Sequence, residues 1–202
     1  MNLQTNANYH HRNLKDTLIT ITQDLIDQGG LEAVSLRKLA EKAGVSRTAP
    51  YHHFKDKNDL LAAVAEKGFE TLTQKLKAAA IDTSLSLTEQ LEKSILNYIH
   101  FAVQNPTQYD LMFGSALWRK SPSPRLQRTA KDSFREYAAL IQAFSDGGLL
   151  QENENPLRLA QLMWATLHGL VKLTHDGIFV RQDDLEDISR YAIQKIQHML
   201  GS

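Results

Sequence analysis

Two short helical segments joined by Ala43-Gly44-Val45-Ser46 constrain this chain more than any other feature. Before the turn, Leu36, Leu39, Ala40 and Ala43 share one helical face behind Ser35, whose hydroxyl can accept from an otherwise unpaired backbone N–H. Gly44 ends that helix, because glycine takes the left-handed conformation at a C-terminus without steric cost. Ser46 can cap the next helix, which runs to about His53. Leu14, Leu18, Ile21 and Leu25 recur at helical spacing upstream, and Gly29-Gly30 stops that first helix. Leu39, Ala40 and Val45 can bury against it, and the small Ala40 lets the helices approach closely. This is a helix-turn-helix, the arrangement whose second helix enters the major groove of DNA.

The rest of the chain also reads as helix, with no long alternating β-branched run and no Asn-Gly hairpin. Lys55-Asp56-Lys57-Asn58 is a turn before a helix to about Ala80. Ser86-Leu87-Thr88-Glu89 is a capping box opening a helix that ends near Asn105-Pro106, and a short helix then runs to Phe113. Ser121-Pro122-Ser123-Pro124 is the clearest loop, followed by a helix ended by Gly147-Gly148. Pro156 stands in the first turn of a helix to about Asp176, and Asp183-Asp184-Leu185-Glu186 opens the last one. The expectation is an all-α protein of about nine helices. Residues 1–11 form a polar, flexible tail, 12–57 a three-helix DNA-binding domain, and 58–202 a helical effector-binding and dimerisation domain.

Composition narrows the function. The 202 residues carry 23 basic and 23 acidic side chains, so a protein that coats nucleic acid along its whole surface is not expected. With 42% apolar and 23% charged residues, wholesale disorder is excluded. No apolar run approaches the roughly 20 residues that span a bilayer, so no membrane partner is expected, and Met1-Asn2-Leu3-Gln4-Thr5-Asn6 is not a secretory signal. There is no cysteine, which excludes disulfides and thiolate metal sites and fits a cytoplasmic protein. The adjacent His52 and His53 diverge by about 100° on a helix and suit joint ligation poorly, so neither a metal nor a cofactor is expected.

Local charge departs from this balance. Between Ser35 and Lys57 stand Arg37, Lys38, Lys42, Arg47, Lys55 and Lys57 against Glu41 and Asp56, a surplus of four positive charges. Such a surplus attracts phosphates in a salt-dependent way. An arginine in the groove can bind guanine O6 and N7 with both prongs, and the Ala49 methyl suits a thymine methyl. Phe54 reads as core, Tyr51 as a contact.

Residues 35–61 resemble the DNA-binding domain of the tetracycline-repressor (TetR) family: Leu39-Ala40, then Ala43-Gly44-Val45-Ser46, then Tyr51, His53, Phe54, Lys57, Leu60 and Leu61 at the family's offsets. The resemblance covers about residues 12–61, and its compound pattern is far more specific than a generic helix-turn-helix. It implies that Arg37 reaches a base edge, that Arg47, Thr48 and Ala49 read bases, that Tyr51 and His52 contact phosphate or sugar, and that Lys57 contacts phosphate. Ser35 and Ser46, at the helix starts, belong to the same surface, while His53 and Phe54 pack and orient the domain. One departure is Pro50: about four residues into a helix capped by Ser46, it removes the first intrahelical hydrogen bond.

The helix at 156–176 carries two apolar stripes, Ala160, Met163, Trp164, Leu167 and Val171 beside Leu159, Leu162, Thr166, Leu170 and Leu173. Together they cover about 200°, wider than a surface helix buries on its own core. Such a helix is either central to the core or shared between the core and a second subunit. In the resembled family the last two helices form a four-helix dimer interface, which here implies Leu159, Leu162, Thr166, Leu170 and Leu173 with Ile188, Ala192, Ile196 and Met199. Trp164-Ala165-Thr166-Leu167-His168-Gly169 also resembles a Trp…His-Gly stretch of one C-terminal subgroup, with Gly169 allowing close approach. A two-fold dimer reads an inverted repeat with half-sites about one helical turn apart or a multiple.

A ligand pocket is placed by the same resemblance between the fifth and eighth helices. Candidate lining residues are Tyr98, Phe101, Met112, Phe113, Trp118, Phe134, Tyr137, Met163, Leu167 and His168, with Tyr109, His100 and His175 nearby; each also fits ordinary core packing. The implied function is a homodimeric repressor of a palindromic operator in double-stranded DNA, released by a small-molecule effector. The alternative is a helix-turn-helix module for protein interaction or DNA organisation without an effector. No Ser/His/Asp motif, His-Glu-x-x-His, P-loop or paired-carboxylate box points to an enzyme.

Overall fold

A computed structural model describes residues 3–119, 123–150, 154–177 and 181–201, with side chains from Leu14 on apart from Ala116, Gln182 and 196–201. Among the described residues every regular element is helical. In chain order these are α1 (Leu3–Gly29), a 3-10 turn (Leu31–Ala33), α2 (Leu36–Lys42), a second 3-10 turn (Ala49–His52), α3 (Lys57–Ala80), α4 (Leu87–Gln104), α5 (Pro106–Phe113), α6 (Ser115–Trp118), α7 (Pro124–Asp146), α8 (Pro156–Asp176) and α9 (Gln182–Gly201). None is long and apolar enough to cross a membrane.

Helix ends follow local chemistry. Ser86 and Glu89 form the expected capping box of α4: Ser86 Oγ accepts from Glu89 N at 3.3 Å, and Glu89 Oε2 accepts from Ser86 N at 2.8 Å. Asn155 Oδ1 accepts from Arg158 N at 3.1 Å, just ahead of Pro156 in the first turn of α8. Of the Ser-Pro-Ser-Pro loop, Ser121 and Pro122 lie outside the described residues. Ser123 Oγ accepts from Leu126 N at 3.1 Å at the start of α7. The tail expected over 1–11 is corrected from Leu3 onward, where the backbone is the beginning of α1. No Gly or Pro stands between Leu3 and Gln28, so nothing stops the helix from propagating back from its amphipathic turns.

The chain packs as two units. The first is Met1–Gly68 with Thr107–Gln127. Leu18, Leu25 and Ile26 of α1, Leu36, Leu39 and Ala40 of α2, Phe54, Leu60, Val64, Tyr109, Met112 and Leu126 form its interior. The domain boundary expected at 57/58 therefore differs from the packing, because the first turns of α3 bury into this unit. Gln108 Nε2 donates to Val64 O at 3.0 Å. The buried Glu66 carboxylate accepts from Arg125 Nε at 2.8 Å, which offsets the cost of desolvating it. At Gly68 an added Cβ would meet Met112 Sδ at 2.5 Å, so α5 approaches the α3 backbone closely there.

The second unit is Phe69–Pro106 with Arg128–Ser202. Its core draws Leu91, Ile95, Tyr98, Ile99 and Phe101 from α4, Tyr137, Ile141 and Phe144 from α7, Ala160, Met163, Leu167 and Val171 from α8, and Leu185 and Ile193 from α9. Thr73 and Ser133 hydroxyls pair at 2.7 Å, and Asn97 Nδ2 donates to Lys75 O at 3.0 Å.

Candidate nucleic-acid interface

The turn of the helix-turn-helix is built as its residue types dictate. Ser35 is extended, and its Oγ accepts from Lys38 N at 3.2 Å, satisfying one orphan donor of α2. At the other end Gly44 takes φ 65°, Gly44 N donates to Glu41 O at 3.2 Å, and Val45 N returns to Ala40 O at 3.0 Å. This paired closure is the Schellman termination that glycine permits.

The recognition segment is shorter than expected. The helix expected from Ser46 to His53 is replaced by a turn and the 3-10 segment Ala49–His52. Pro50 is the cause. It has no N–H to give Ser46 O, which accepts instead from Ala49 N at 3.0 Å, one residue earlier than an α-helix would require. Ser46 Oγ meets Thr48 Oγ1 at 3.2 Å, so Ser46 braces a neighbouring hydroxyl and is not the helix cap. Pro50 O then accepts from both His53 N and Phe54 N, at 3.0 and 2.9 Å, and Pro50 itself is buried.

This scaffold fixes what faces outward. Leu36, Leu39, Ala40, Pro50 and Phe54 point inward. Arg37, Lys38, Lys42, Ser46, Arg47, Thr48, His52 and Lys55 are exposed, Ala49 is half-buried, and Tyr51 is 58% exposed despite being aromatic. Among the described residues, the side-chain cations of Arg37, Lys38, Lys42, Arg47 and Lys55 form no ion pair with a carboxylate of the chain, although the Lys55 backbone N–H donates to Asp59 Oδ2 at 3.0 Å. The expected base readers Arg37, Arg47, Thr48 and Ala49 are thus on one short stretch with the expected backbone contacts Tyr51 and His52. Lys38, Lys42 and Lys55 were absent from that expectation as individual contacts. Their signal was the local charge surplus. Lys57 is placed differently from a free phosphate ligand: its Nζ donates to Leu31 O at 2.6 Å and is part-buried, leaving two of three donors for another acceptor. His53 is half-buried, and Lys15 Nζ lies 5.9 Å over the Phe54 ring.

The expected pocket residues fall in both units. Met112, Phe113 and Trp118 belong to the first, where Trp118 Nε1 donates to Met112 O at 2.8 Å and Phe113 packs on Tyr109 at 4.7 Å between ring centroids. Tyr98, Phe101, Phe134, Tyr137, Met163, Leu167 and His168 belong to the second. There Phe134 lies 6.3 Å from Tyr137 and 6.1 Å from Trp164, which stacks on His168 at 5.4 Å. Trp164, expected on one apolar stripe and in the Trp…His-Gly stretch but not among the pocket residues, thus joins this ring cluster. Its spacing of one helical turn from His168 was the signal for the stack.

On α8 the two stripes separate. Ala160, Met163, Leu167 and Val171 are buried, whereas Leu162 is 60% and Leu173 39% exposed. Leu159, expected at the interface, is corrected to the chain's own core: it is 6% exposed, one turn below Met163. Thr166 and Leu170 are half-buried, and a Cβ at Gly169 would meet nothing within 4 Å. On α9, Ile188 and Ala192 are half-buried and Tyr191 is 61% exposed. The side chains of Ile196 and Met199 lie outside the described residues.

Comparison with known proteins bears on both units. Residues 18–64 match the family model described as bacterial regulatory proteins, tetR family, and residues 91–196 match that of a tetracyclin repressor-like C-terminal domain. The HTH-type transcriptional regulator PksA of Bacillus subtilis is 21% identical over 187 residues, 92% of this chain and 91% of that protein. The class A tetracycline repressor protein from transposon 1721, of Escherichia coli, is 43% identical over 51 residues, which span 25% of this chain and 24% of that protein. Among solved structures, a protein of unknown function from Rhodococcus sp. RHA1 superposes with TM-score 0.78 at 24% identity, covering 94% of this chain and 96% of its own. The TetR-family transcriptional regulator PfmR from Thermus thermophilus gives 0.64 at 18% identity over 90% of this chain and 97% of its own. These structural likenesses speak to the fold.

Proposed function

The chain belongs to the TetR family of bacterial HTH-type transcriptional regulators, and on that footing we propose that it works as a homodimeric repressor of an inverted-repeat operator, released by a small-molecule effector. The observation that carries the DNA half is the set of exposed cations at Arg37, Lys38, Lys42, Arg47 and Lys55 beside an exposed Tyr51. A tyrosine left that open, beside the buried Pro50 and Phe54, gains most from stacking against sugar or bonding a phosphate. Arg47 and Thr48 read base edges, Ala49 meets a thymine methyl, and the lysines supply the salt-dependent attraction.

The dimer half rests on the outer faces of α8 and α9. Leu162, Leu173 and Tyr191 are among the exposed large apolar side chains of these helices, and Gly169 leaves room for a facing helix. Two copies joined on these faces present two recognition segments to successive major-groove half-sites. Release follows if the effector prefers the conformer that does not fit DNA. Moving the population from 99:1 to 1:99 takes about 5.5 kcal/mol of differential affinity.

A gel shift with the DNA upstream of the gene tests the reading, alongside sedimentation of the free protein. A specific shift at moderate salt by a two-copy species supports it. Equal binding to any polyanion, or a monomer at micromolar concentration, contradicts it.

A further inference from the structure

The aromatic cluster of the second unit contains a polar atom without a partner. Tyr137 is 8% exposed, and its buried hydroxyl meets no hydrogen-bond partner among the described residues. Its ring neighbours Phe134, which meets Trp164 edge-on, and Trp164 stacks on His168. Tyr98 of α4, also buried, is close enough to bear on the ionisation of Tyr137. Helices α4, α7 and α8 thus each contribute a ring to the surroundings of Tyr137.

A buried hydroxyl left unbonded is costly, and native proteins rarely leave one so. Ser94 and Ser189, buried in the same unit, return their hydroxyls to the helix carbonyls of Gln90 and Leu185, at 2.8 and 2.6 Å. The Tyr137 ring holds its oxygen away from its own backbone, so that local remedy is closed to it. If packing were its whole role, phenylalanine would serve better. Burial pushes the phenol well above its usual range, so it stays protonated and offers a donor.

We propose that the Tyr137 hydroxyl is the polar anchor of a small-molecule site beside Tyr98, Phe134 and Trp164, and that this site takes an uncharged, largely aromatic compound whose carbonyl or ether oxygen accepts the hydrogen bond. The rings provide stacking and edge contacts for such a ligand, while an ionised one would be stripped of water without compensation. The assignment rests on the effector-released reading above and names the chemistry its effector presents.

The test uses the full chain, its Tyr137→Phe variant, and two probes of matched shape. Acetophenone carries a carbonyl where α-methylstyrene carries a methylene. By equilibrium dialysis the wild type binds acetophenone about tenfold more tightly than α-methylstyrene, and Tyr137→Phe binds the two alike. In urea, Tyr137→Phe unfolds at the same or a higher midpoint, because it deletes a group that has no partner in the fold. Equal affinities in the wild type, no binding of either probe, or a lowered midpoint in the variant overturns the proposal; the last would mean that an internal water or the fold itself uses the hydroxyl. A wild type that shifts DNA but fails the probe comparison loses only this assignment. One that discriminates the probes without shifting DNA keeps the anchor and loses the regulatory reading.

Discussion

Charge is arranged differently in residues 35–57 and in the second unit. In the first region the side-chain cations of Arg37, Lys38, Lys42, Arg47 and Lys55 face solvent without an ion pair to a carboxylate among the described residues. In the second, Arg190 pairs with both Glu92 and Glu186, Lys93 with Asp82 at 2.8 Å, and Lys77 with Glu136 at 2.6 Å. The chain's net charge is zero, yet those cations of the first region are all open, whereas in the second unit several are paired and others, such as Arg128 and Lys131, are open too. Open cations over a rigid apolar floor await an external anion, and paired ones do not. Net charge therefore says little about a partner here, while the local distribution of partners says a good deal.

The largest effect should come from the floor beneath the open cations. Leu39 is fully buried, so Leu39→Ala should cost about 2–5 kcal/mol of stability and abolish DNA binding with it. A urea titration followed by circular dichroism checks this, and an unchanged midpoint would mean that the helix-turn-helix does not depend on that packing.

Next comes the comparison itself. Arg47→Ala should lose about 1–3 kcal/mol of specific affinity and relax one operator position. Arg190→Ala, which breaks pairs already made within the chain, should leave the same anisotropy titration unchanged. Equal losses from both would dissolve the distinction between open and paired cations.

A smaller, uniform effect belongs to Lys57→Ala. It should weaken all DNA sequences alike and reduce the slope of log affinity against log salt by about one. Because its ammonium also holds Leu31 O, the melting midpoint should fall slightly too. A sequence-selective loss would move Lys57 into the base-reading set.

The smallest effect concerns an exposed pair. The Lys93 ammonium, helped by the Ser84 hydroxyl and amide, lowers Asp82 from 3.8 to about 2. Because the folded value lies below the unfolded one, the stability it contributes is present above about pH 3.8 and fades as pH falls through about 2. Lys93→Ala should flatten that acid limb in urea midpoints measured from pH 4 downward, without touching DNA affinity. An unaltered limb would remove Lys93 as the cause.

The two regions also differ in how far the sequence alone exposes them. The helix-turn-helix depends on contacts between near neighbours, so Ser35, Gly44 and the buried Leu39 and Phe54 announce their roles locally. Pro50 did so too: its missing N–H accounts for the 3-10 segment that replaces the expected helix. The boundary within α3 was hidden because it depends on partners far along the chain, Val64 with Gln108 and Glu66 with Arg125. On α8 helical periodicity marks two apolar stripes, yet Leu159 sits where they meet, and only tertiary packing decides its side. The Tyr137 hydroxyl was invisible for a related reason, since a lack of partners is a property of the folded neighbourhood and not of a spacing.

The account's central claim is that paired recognition segments seat in successive grooves of one duplex. Selecting bound sequences from random DNA tests it most directly, with wild-type protein and Arg47→Ala side by side. The account predicts an inverted repeat with half-sites about one helical turn apart or a multiple, and relaxation at the same position in both halves for the variant. Enrichment of a single unrepeated half-site, or no enrichment above the starting pool, would contradict it.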